Sequence, residues 1–129
     1  MRQLMHHAIW LSLLICIALA GCSRQSTSQS ELAITLTVTP NPPRVGLVTI
    51  ELVVVDRNQQ PITGATVMVE GSMTHAGMTP EFAPAEETAP GRYTALLVLT
   101  MGGDWLVTVS VTMLDGRTIE QTLPLGSVQ

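Results

Sequence analysis

Two methionines and one histidine stand close together in the sequence and could form a metal site. Met73, His75 and Met78 read as Met-x-His-x-x-Met. Thioether sulfur is soft and neutral and imidazole is a borderline ligand, so this set suits Cu(I) better than a hard cation. Gly77 would let the backbone fold back so that the three side chains converge. The alternative is that the methionines fill gaps in a core while the histidine is solvated.

The segments that must position this loop have the pattern of β-strands. Apolar and polar residues alternate with period two, and Val and Thr are frequent from residue 32 onward. We predict strands over residues 32–39, 47–55, 65–73, 81–88, 92–100, 105–113 and 118–123. Short strands with a turn roughly every eight to twelve residues favour an all-β fold. The predicted architecture is an immunoglobulin-like β-sandwich of about seven antiparallel strands.

Strand order adds a fourth candidate ligand, Met101. In an immunoglobulin-like sandwich the connections after the first, third and fifth strands share one end of the molecule. The loop with His75 follows the third predicted strand, and Met101 follows the fifth, beside Gly102 and Gly103. Met101 could therefore approach His75 although 26 residues separate them. It could equally cap the open end of the core together with Met73.

Residues 1–21 have the features of a lipoprotein signal peptide. Arg2 gives a positive start, and residues 8–20 form an apolar run that is short for a transmembrane helix. The run ends in Leu-Ala-Gly-Cys, so we predict cleavage before Cys22 and lipid on its thiol. The lipid would anchor the protein outside the cell membrane, or at an outer membrane in a cell with two. Residues 22–31 would then be a flexible tether and residues 32–129 the domain.

The negative charge of the chain argues against nucleic acid and anionic lipid as partners. The formal charge is −4 for the whole chain and becomes −5 when Arg2 leaves with the signal peptide. The chain contains no lysine, so it lacks the basic footprint of a nucleic-acid-binding protein. It would not bind anionic lipid through charge either, so the acyl chains must provide the membrane anchor.

The exported part also lacks the residue sets of common enzymes. It has one histidine, His75, and its one cysteine, Cys22, is consumed by the lipid. Glu86 and Glu87 are adjacent on a predicted strand and would point to opposite faces, so they do not form a cooperating pair. No glycine-rich phosphate loop or nucleophile elbow is present. We therefore expect a protein without catalytic activity.

Two aromatic residues near the starts of predicted strands have structural explanations. We expect the Tyr93 ring to be buried while its hydroxyl finds a backbone partner, as in a tyrosine corner. We expect Trp105 to cover the end of the core beneath Met101, where a sulfur–ring contact would add packing energy without any metal.

Five short sequence blocks occur in an order that resembles the YtkA-like domain family, with kinship to FixH-like proteins. They are Pro43-Arg44-Val45-Gly46, Pro61-Ile62-Thr63-Gly64-Ala65, Met73-Thr74-His75-Ala76-Gly77-Met78-Thr79-Pro80, Pro90-Gly91-Arg92-Tyr93 and Met101-Gly102-Gly103-Asp104-Trp105-Leu106-Val107. The resemblance covers roughly residues 32–113. It implies a small extracytoplasmic sandwich, often lipid-anchored, and some relatives are associated with copper handling or cytochrome oxidase assembly. Where the family commonly has His-Gly-Met, Ala76 stands between His75 and Gly77 here.

Two functions follow as expectations from the residues and the resemblance together. The first is a copper-handling or oxidase-assembly accessory protein that binds Cu(I) through His75, Met73, Met78 and Met101. The second is a non-catalytic structural or protein-interaction module of the cell envelope, without metal, that uses its edge strands as the surface for an envelope protein partner.

Overall fold

The computed structural model describes residues 31–75 and 77–129. The predicted signal peptide, Cys22 and the predicted tether up to residue 30 lie outside the described residues. Within the described part of the chain, no helix is long and apolar enough to cross a membrane.

Seven β-strands make up the described domain, as the alternation predicts. They are β1 Leu32–Thr39, β2 Gly46–Asp56, β3 Thr66–Met73, β4 Glu81–Ala89, β5 Arg92–Leu99, β6 Gly103–Thr112 and β7 Thr118–Val128. The largest difference from the prediction is β7, which continues five residues beyond the predicted end at Leu123. A bulge allows this extension, because Leu106 pairs with Pro124 while Trp105 pairs with Gly126, leaving one extra residue in β7.

All strand pairs are antiparallel, and the strand order is β1-β2-β5-β4-β3-β6-β7. β1, β2, β5 and β4 correspond to one sheet of a constant-type immunoglobulin sandwich, and β3, β6 and β7 to the other. β4 joins the two sheets, because its residues 81–85 pair with β3 and its residues 85–89 pair with β5. The predicted immunoglobulin-like β-sandwich is therefore confirmed, with hydrogen bonding continuous across β4.

Alternating apolar residues from both sheets form the core. In β2 the residues at 48, 50, 52 and 54 are buried, and in β6 those at 105, 107, 109 and 111 are buried. The residues between them face outward and are mostly threonine, serine or glutamate, or valine that is half-buried. No polar or charged residue is buried within the described domain. Each fully buried aliphatic side chain contributes about 1.5–3 kcal/mol, so apolar burial is the main source of stability.

The sandwich has two ends that differ in their connections. The connections after β1, β3 and β5 lie at one end, which we call the methionine end, where Gly46 pairs with Leu99 and Met73 pairs with Trp105. The opposite end holds the start of β1 and the connections after β2, β4 and β6. At the methionine end the last residue, Gln129, exchanges backbone hydrogen bonds of 2.9 and 3.0 Å with Val45 and Pro43.

Candidate metal site

The four predicted ligands lie at the methionine end of the sandwich. Met73 is the last residue of β3 and pairs with Trp105 of β6, and Met101 stands two residues before β6 begins. His75 and Met78 lie in the connection between β3 and β4. The structure thus places the two connections that carry the ligands at the same end, as the strand order predicts.

The four side chains differ strongly in their exposure. Met73 is 8% exposed and belongs to the core, whereas Met101 is 43% exposed. Met78 is half-buried and packs against the core, and His75 is exposed. The thioethers therefore extend from the end of the core to the surface, and the imidazole lies in solvent.

Trp105 fixes the position of Met101. Its ring is almost fully buried, and its indole Nε1–H donates a 3.0 Å hydrogen bond to the carbonyl oxygen of Met101. A buried indole needs such a partner, because an unpaired N–H would lose its water without compensation. Trp105 is therefore buried at the core end beside Met101, as expected, and the two residues are joined through the backbone carbonyl of Met101; the sulfur–ring contact stays a prediction.

Gly103 makes room for the side chain of Met73. A β-carbon placed on Gly103 would lie 2.6 Å from the Cε atom of Met73, and Gly103 has a φ of +127°. Glycine is the residue that accepts this backbone conformation and close approach without strain. The Met73 thioether methyl consequently lies against the backbone of β6, two residues from Met101.

Harder ligands do not gather anywhere in residues 31–75 and 77–129. No group of three or more His, Cys, Asp or Glu side chains is placed to hold a metal ion there. A site at the methionine end would have to rely on sulfur together with one imidazole, a donor set that fits Cu(I) and does not fit Mg²⁺ or Ca²⁺.

Tyr93 organises the opposite end of the sandwich. Its ring is 1% exposed, and its hydroxyl donates to the carbonyl oxygen of Ile62 at 2.8 Å and accepts from the backbone N–H of Ala65 at 3.2 Å. The expected buried ring with a backbone-bound hydroxyl is confirmed. Burial raises the pKa of the Tyr93 phenol, and the negative charge of Glu87 raises it further, while the hydrogen bond from Ala65 opposes both.

Glu87 has a role that the sequence did not reveal. Its Oε2 accepts from the backbone N–H of Gly64 at 2.8 Å, and its Oε1 accepts from that of Gly91 at 3.1 Å. One carboxylate thus joins the connection after β2 to the turn after β4. The signal that could have found it is the four-residue spacing between Glu87 and the turn glycine, Gly91.

The fold defines a small immunoglobulin-like sandwich domain whose connections at one end, together with the last residue of β3, carry three methionines and His75. The chain belongs to the YtkA-like family, whose sequence model matches residues 27–110. This finding confirms the family resemblance of the five sequence blocks.

The fold is also found in a solved structure. The soluble domain of PmoD from Methylocystis sp. ATCC 49242 (Rockwell) is 12% identical, with a TM-score of 0.51 over 74% of this chain and 90% of that chain. At this identity the likeness concerns the fold alone. No curated protein matches the chain.

Proposed function

We propose that this YtkA-like protein is a non-catalytic accessory module, held outside the cell by lipid on Cys22, that binds Cu(I) for copper handling or oxidase assembly. His75, Met73, Met78 and Met101 are the proposed ligands. The observation that supports the proposal is that the connection after β3 and the connection after β5 lie at the same end of the sandwich. The first carries His75 and Met78, and the second carries Met101.

The order of the methionine end supports metal binding, because two of the four ligands are already held in place. Met73 is held by the core and by Gly103, and the backbone of Met101 is held by Trp105. His75 and Met78 lie on the connecting loop, so they could close over an ion held between the other two sulfurs. A partly ordered site loses less entropy on binding than one built only from a loop.

Methionine also suits the proposed location. Outside the cytoplasm thiols oxidise to disulfides, whereas a thioether cannot form one. The domain of residues 32–129 has no cysteine, so soft-metal chemistry in it falls to methionine and His75.

Titration of the full-length protein in detergent micelles with Cu(I), against a competing chelator, tests the metal site. We expect His75→Ala, Met78→Ala and Met101→Ala each to weaken affinity at least about tenfold, equivalent to about 1.4 kcal/mol. Met73→Leu keeps the core volume while removing the sulfur, so it should weaken affinity without unfolding the domain.

Met68→Ala is the matched control, because Met68 is an exposed methionine on the outer face of β3. If His75→Ala and Met78→Ala bind Cu(I) as tightly as Met68→Ala does, the proposed site is wrong.

Membrane fractionation of cells that express the protein tests the anchor. The wild-type protein should incorporate radiolabelled fatty acid and sediment with membranes, and Cys22→Ser should do neither. A Cys22→Ser protein that still carries fatty acid would rule out lipidation at this residue. Ser23→Ala is the control for a change beside the cleavage site.

A further inference from the structure

The pairing of β4 leaves part of β5 without a neighbouring strand on one side. β5 pairs with β2 along its whole length, and with β4 only from Arg92 to Ala95. Residues 81–84 of β4 pair with β3 instead. Residues 96–99 of β5 are therefore a short sheet edge, with no second pairing partner among residues 31–75 and 77–129. Such an edge offers backbone N–H and C=O groups to another strand.

Exposed apolar side chains surround this edge. Leu96 of β5 is 58% exposed, and Val98 pairs with Leu47 of β2, which is 62% exposed. Phe82, on the part of β4 that turns away, is also 62% exposed. A groove of about 430 Å³ begins beside Leu96, at one end of this edge, and continues along the outer side of β4 and β5 where they pair; it is lined by Pro84, Glu86, Thr88, Thr94 and Leu96.

The outer side of the sheet formed by β3, β6 and β7 differs from the apolar surface beside residues 96–99. The outer side of β6 and β7 carries hydroxyl pairs, Thr108 with Thr122 at 3.0 Å and Thr112 with Thr118 at 2.9 Å. Such pairs satisfy polar atoms within the sheet and are typical of a face that meets water. The outer face of β5 near residues 96–98 has leucine and valine at the corresponding positions instead.

Two carboxylates lie in or beside the groove, farther from the methionine end than Leu96. Glu51 of β2 and Glu86 of β4 are both register partners of Thr94, so they flank it on the two sides of β5. Both glutamates are exposed, and no ion pair to either is present within the described residues. The groove is therefore apolar towards the methionine end and acidic towards the middle of the sheet.

We propose that this groove binds an extended peptide segment of another protein, which adds as a strand to residues 96–99. Its backbone would bond to the free edge of β5, and its alternate apolar side chains would contact Leu96, Val98 and Phe82. A lysine or arginine near one end of the peptide would meet Glu51 and Glu86. Strand addition of this kind takes its affinity from the backbone and its specificity from the side-chain contacts.

Other occupants fit the groove less well. A second copy of the chain is acidic, with a formal charge of −4 and no lysine, so pairing would bring like charges together. Anionic lipid meets the same repulsion. The serine- and glutamine-rich residues 23–30 lack the apolar side chains that the groove would bind.

The test uses the full-length protein in detergent micelles with three synthetic peptides, studied by NMR and calorimetry. The first peptide alternates valine and threonine over eight residues and ends in two arginines. In the second, glutamates replace the arginines, and in the third, alternate amides are N-methylated so that a strand cannot pair. We expect only the first peptide to bind measurably and to shift the amide signals of residues 96–99.

Variants of the protein link binding to the groove. Leu96→Thr keeps a strand-forming residue and should weaken binding at least about fivefold, while Glu86→Gln should weaken it less and reduce its dependence on salt. Leu114→Thr, at an exposed leucine of the opposite end, is the control and should bind as the wild type does.

The proposal is wrong if the first peptide does not bind at millimolar concentration, or if the N-methylated peptide binds equally well. It is also wrong if Leu96→Thr abolishes a dimer of the protein or its binding to lipid vesicles, because the groove would then serve one of those occupants. Cu(I) affinity separates this proposal from the metal site, because Leu96→Thr should leave that affinity unchanged.

Discussion

At the scale of single residues, Tyr93 and Trp105 have the same structural role at opposite ends of the sandwich. Each ring is almost fully buried, and each places its one polar atom on the backbone of a connection. The Tyr93 hydroxyl bonds to Ile62 and Ala65, and the Trp105 indole bonds to Met101. An aromatic ring thereby contributes to the core and fixes a loop at the same time.

Removing the Tyr93 hydroxyl should destabilise the protein without disturbing the packing of its ring. Tyr93→Phe leaves the carbonyl of Ile62 and the N–H of Ala65 without their partner, so we expect a loss of about 1–3 kcal/mol in unfolding free energy. Urea denaturation measures this loss. Phe82→Leu is the control at an exposed ring and should change stability by less than about 0.5 kcal/mol. Equal stability of Tyr93→Phe and wild type would contradict the role of the hydroxyl.

The raised pKa of Tyr93 predicts how stability depends on alkaline pH. An unfolded tyrosine loses its proton at about pH 10, whereas the folded protein retains it to higher pH. This contribution is complete below about pH 10 and is lost as pH rises towards the folded pKa. The chain has one tyrosine and no lysine, so few other side chains titrate in this range. Wild-type stability should fall in urea denaturation as pH rises above about 10, and that of Tyr93→Phe should fall less.

At the scale of the strands, alternation predicted the elements well where one face is buried throughout. β2, β5 and β6 alternate regularly between buried positions and half-buried or exposed ones, so the core face can be read directly from the sequence. β4 lacks this regularity, because it belongs to both sheets and most of its residues are exposed. The sequence therefore predicted that a strand exists there, and could not show that it changes partner.

For the candidate metal site, the sequence predicted which end of the sandwich carries the side chains, but not how deeply each one is buried. Strand order alone brought Met101 to the end that carries His75, because the connections of a sandwich alternate between its ends. The sequence could not show that Met73 belongs to the core while Met101 is exposed, since burial depends on Gly103 and on the pairing of Met73 with Trp105.

Glu87 shows how one side chain can join two connections, and its removal should loosen both. Glu87→Gln leaves at most one carbonyl oxygen to accept from Gly64 and Gly91, so we expect a loss of about 1 kcal/mol in unfolding free energy. Hydrogen exchange should also become faster at those two amides. Glu86→Gln is the matched control, because it removes the same charge from the neighbouring residue. Equal stability and equal exchange in the two variants would show that the carboxylate does not hold these connections.

At the scale of the whole molecule, the start of the described domain lies opposite to the methionine end. β1 begins at the end opposite to Met73 and Met101, so the tether would enter the domain there. Fully extended, residues 22–31 would span at most about 36 Å. A domain carried in this way can present both the methionine end and the groove beside β5 to partners away from the membrane.

The methionine end is closed by the last residues of the chain, so their removal should affect the whole domain. Val128 is buried and pairs with Gly103, and Gln129 bonds to Pro43 and Val45. Deleting both residues should cost about 3 kcal/mol of unfolding free energy, from lost apolar burial and two lost hydrogen bonds.

Two point variants show how much of this loss in unfolding free energy comes from the burial of Val128. Val128→Ala removes only the burial and should cost about 1–2 kcal/mol, while Ser127→Ala, at an exposed position, should change stability by less than about 0.5 kcal/mol. Because Gly103 also contacts Met73, the deletion should further expose Trp105 and shift its fluorescence to longer wavelength. Urea denaturation followed by this fluorescence measures both effects together. A deletion variant with wild-type stability and emission would mean that the methionine end is held by β3, β5 and β6 alone.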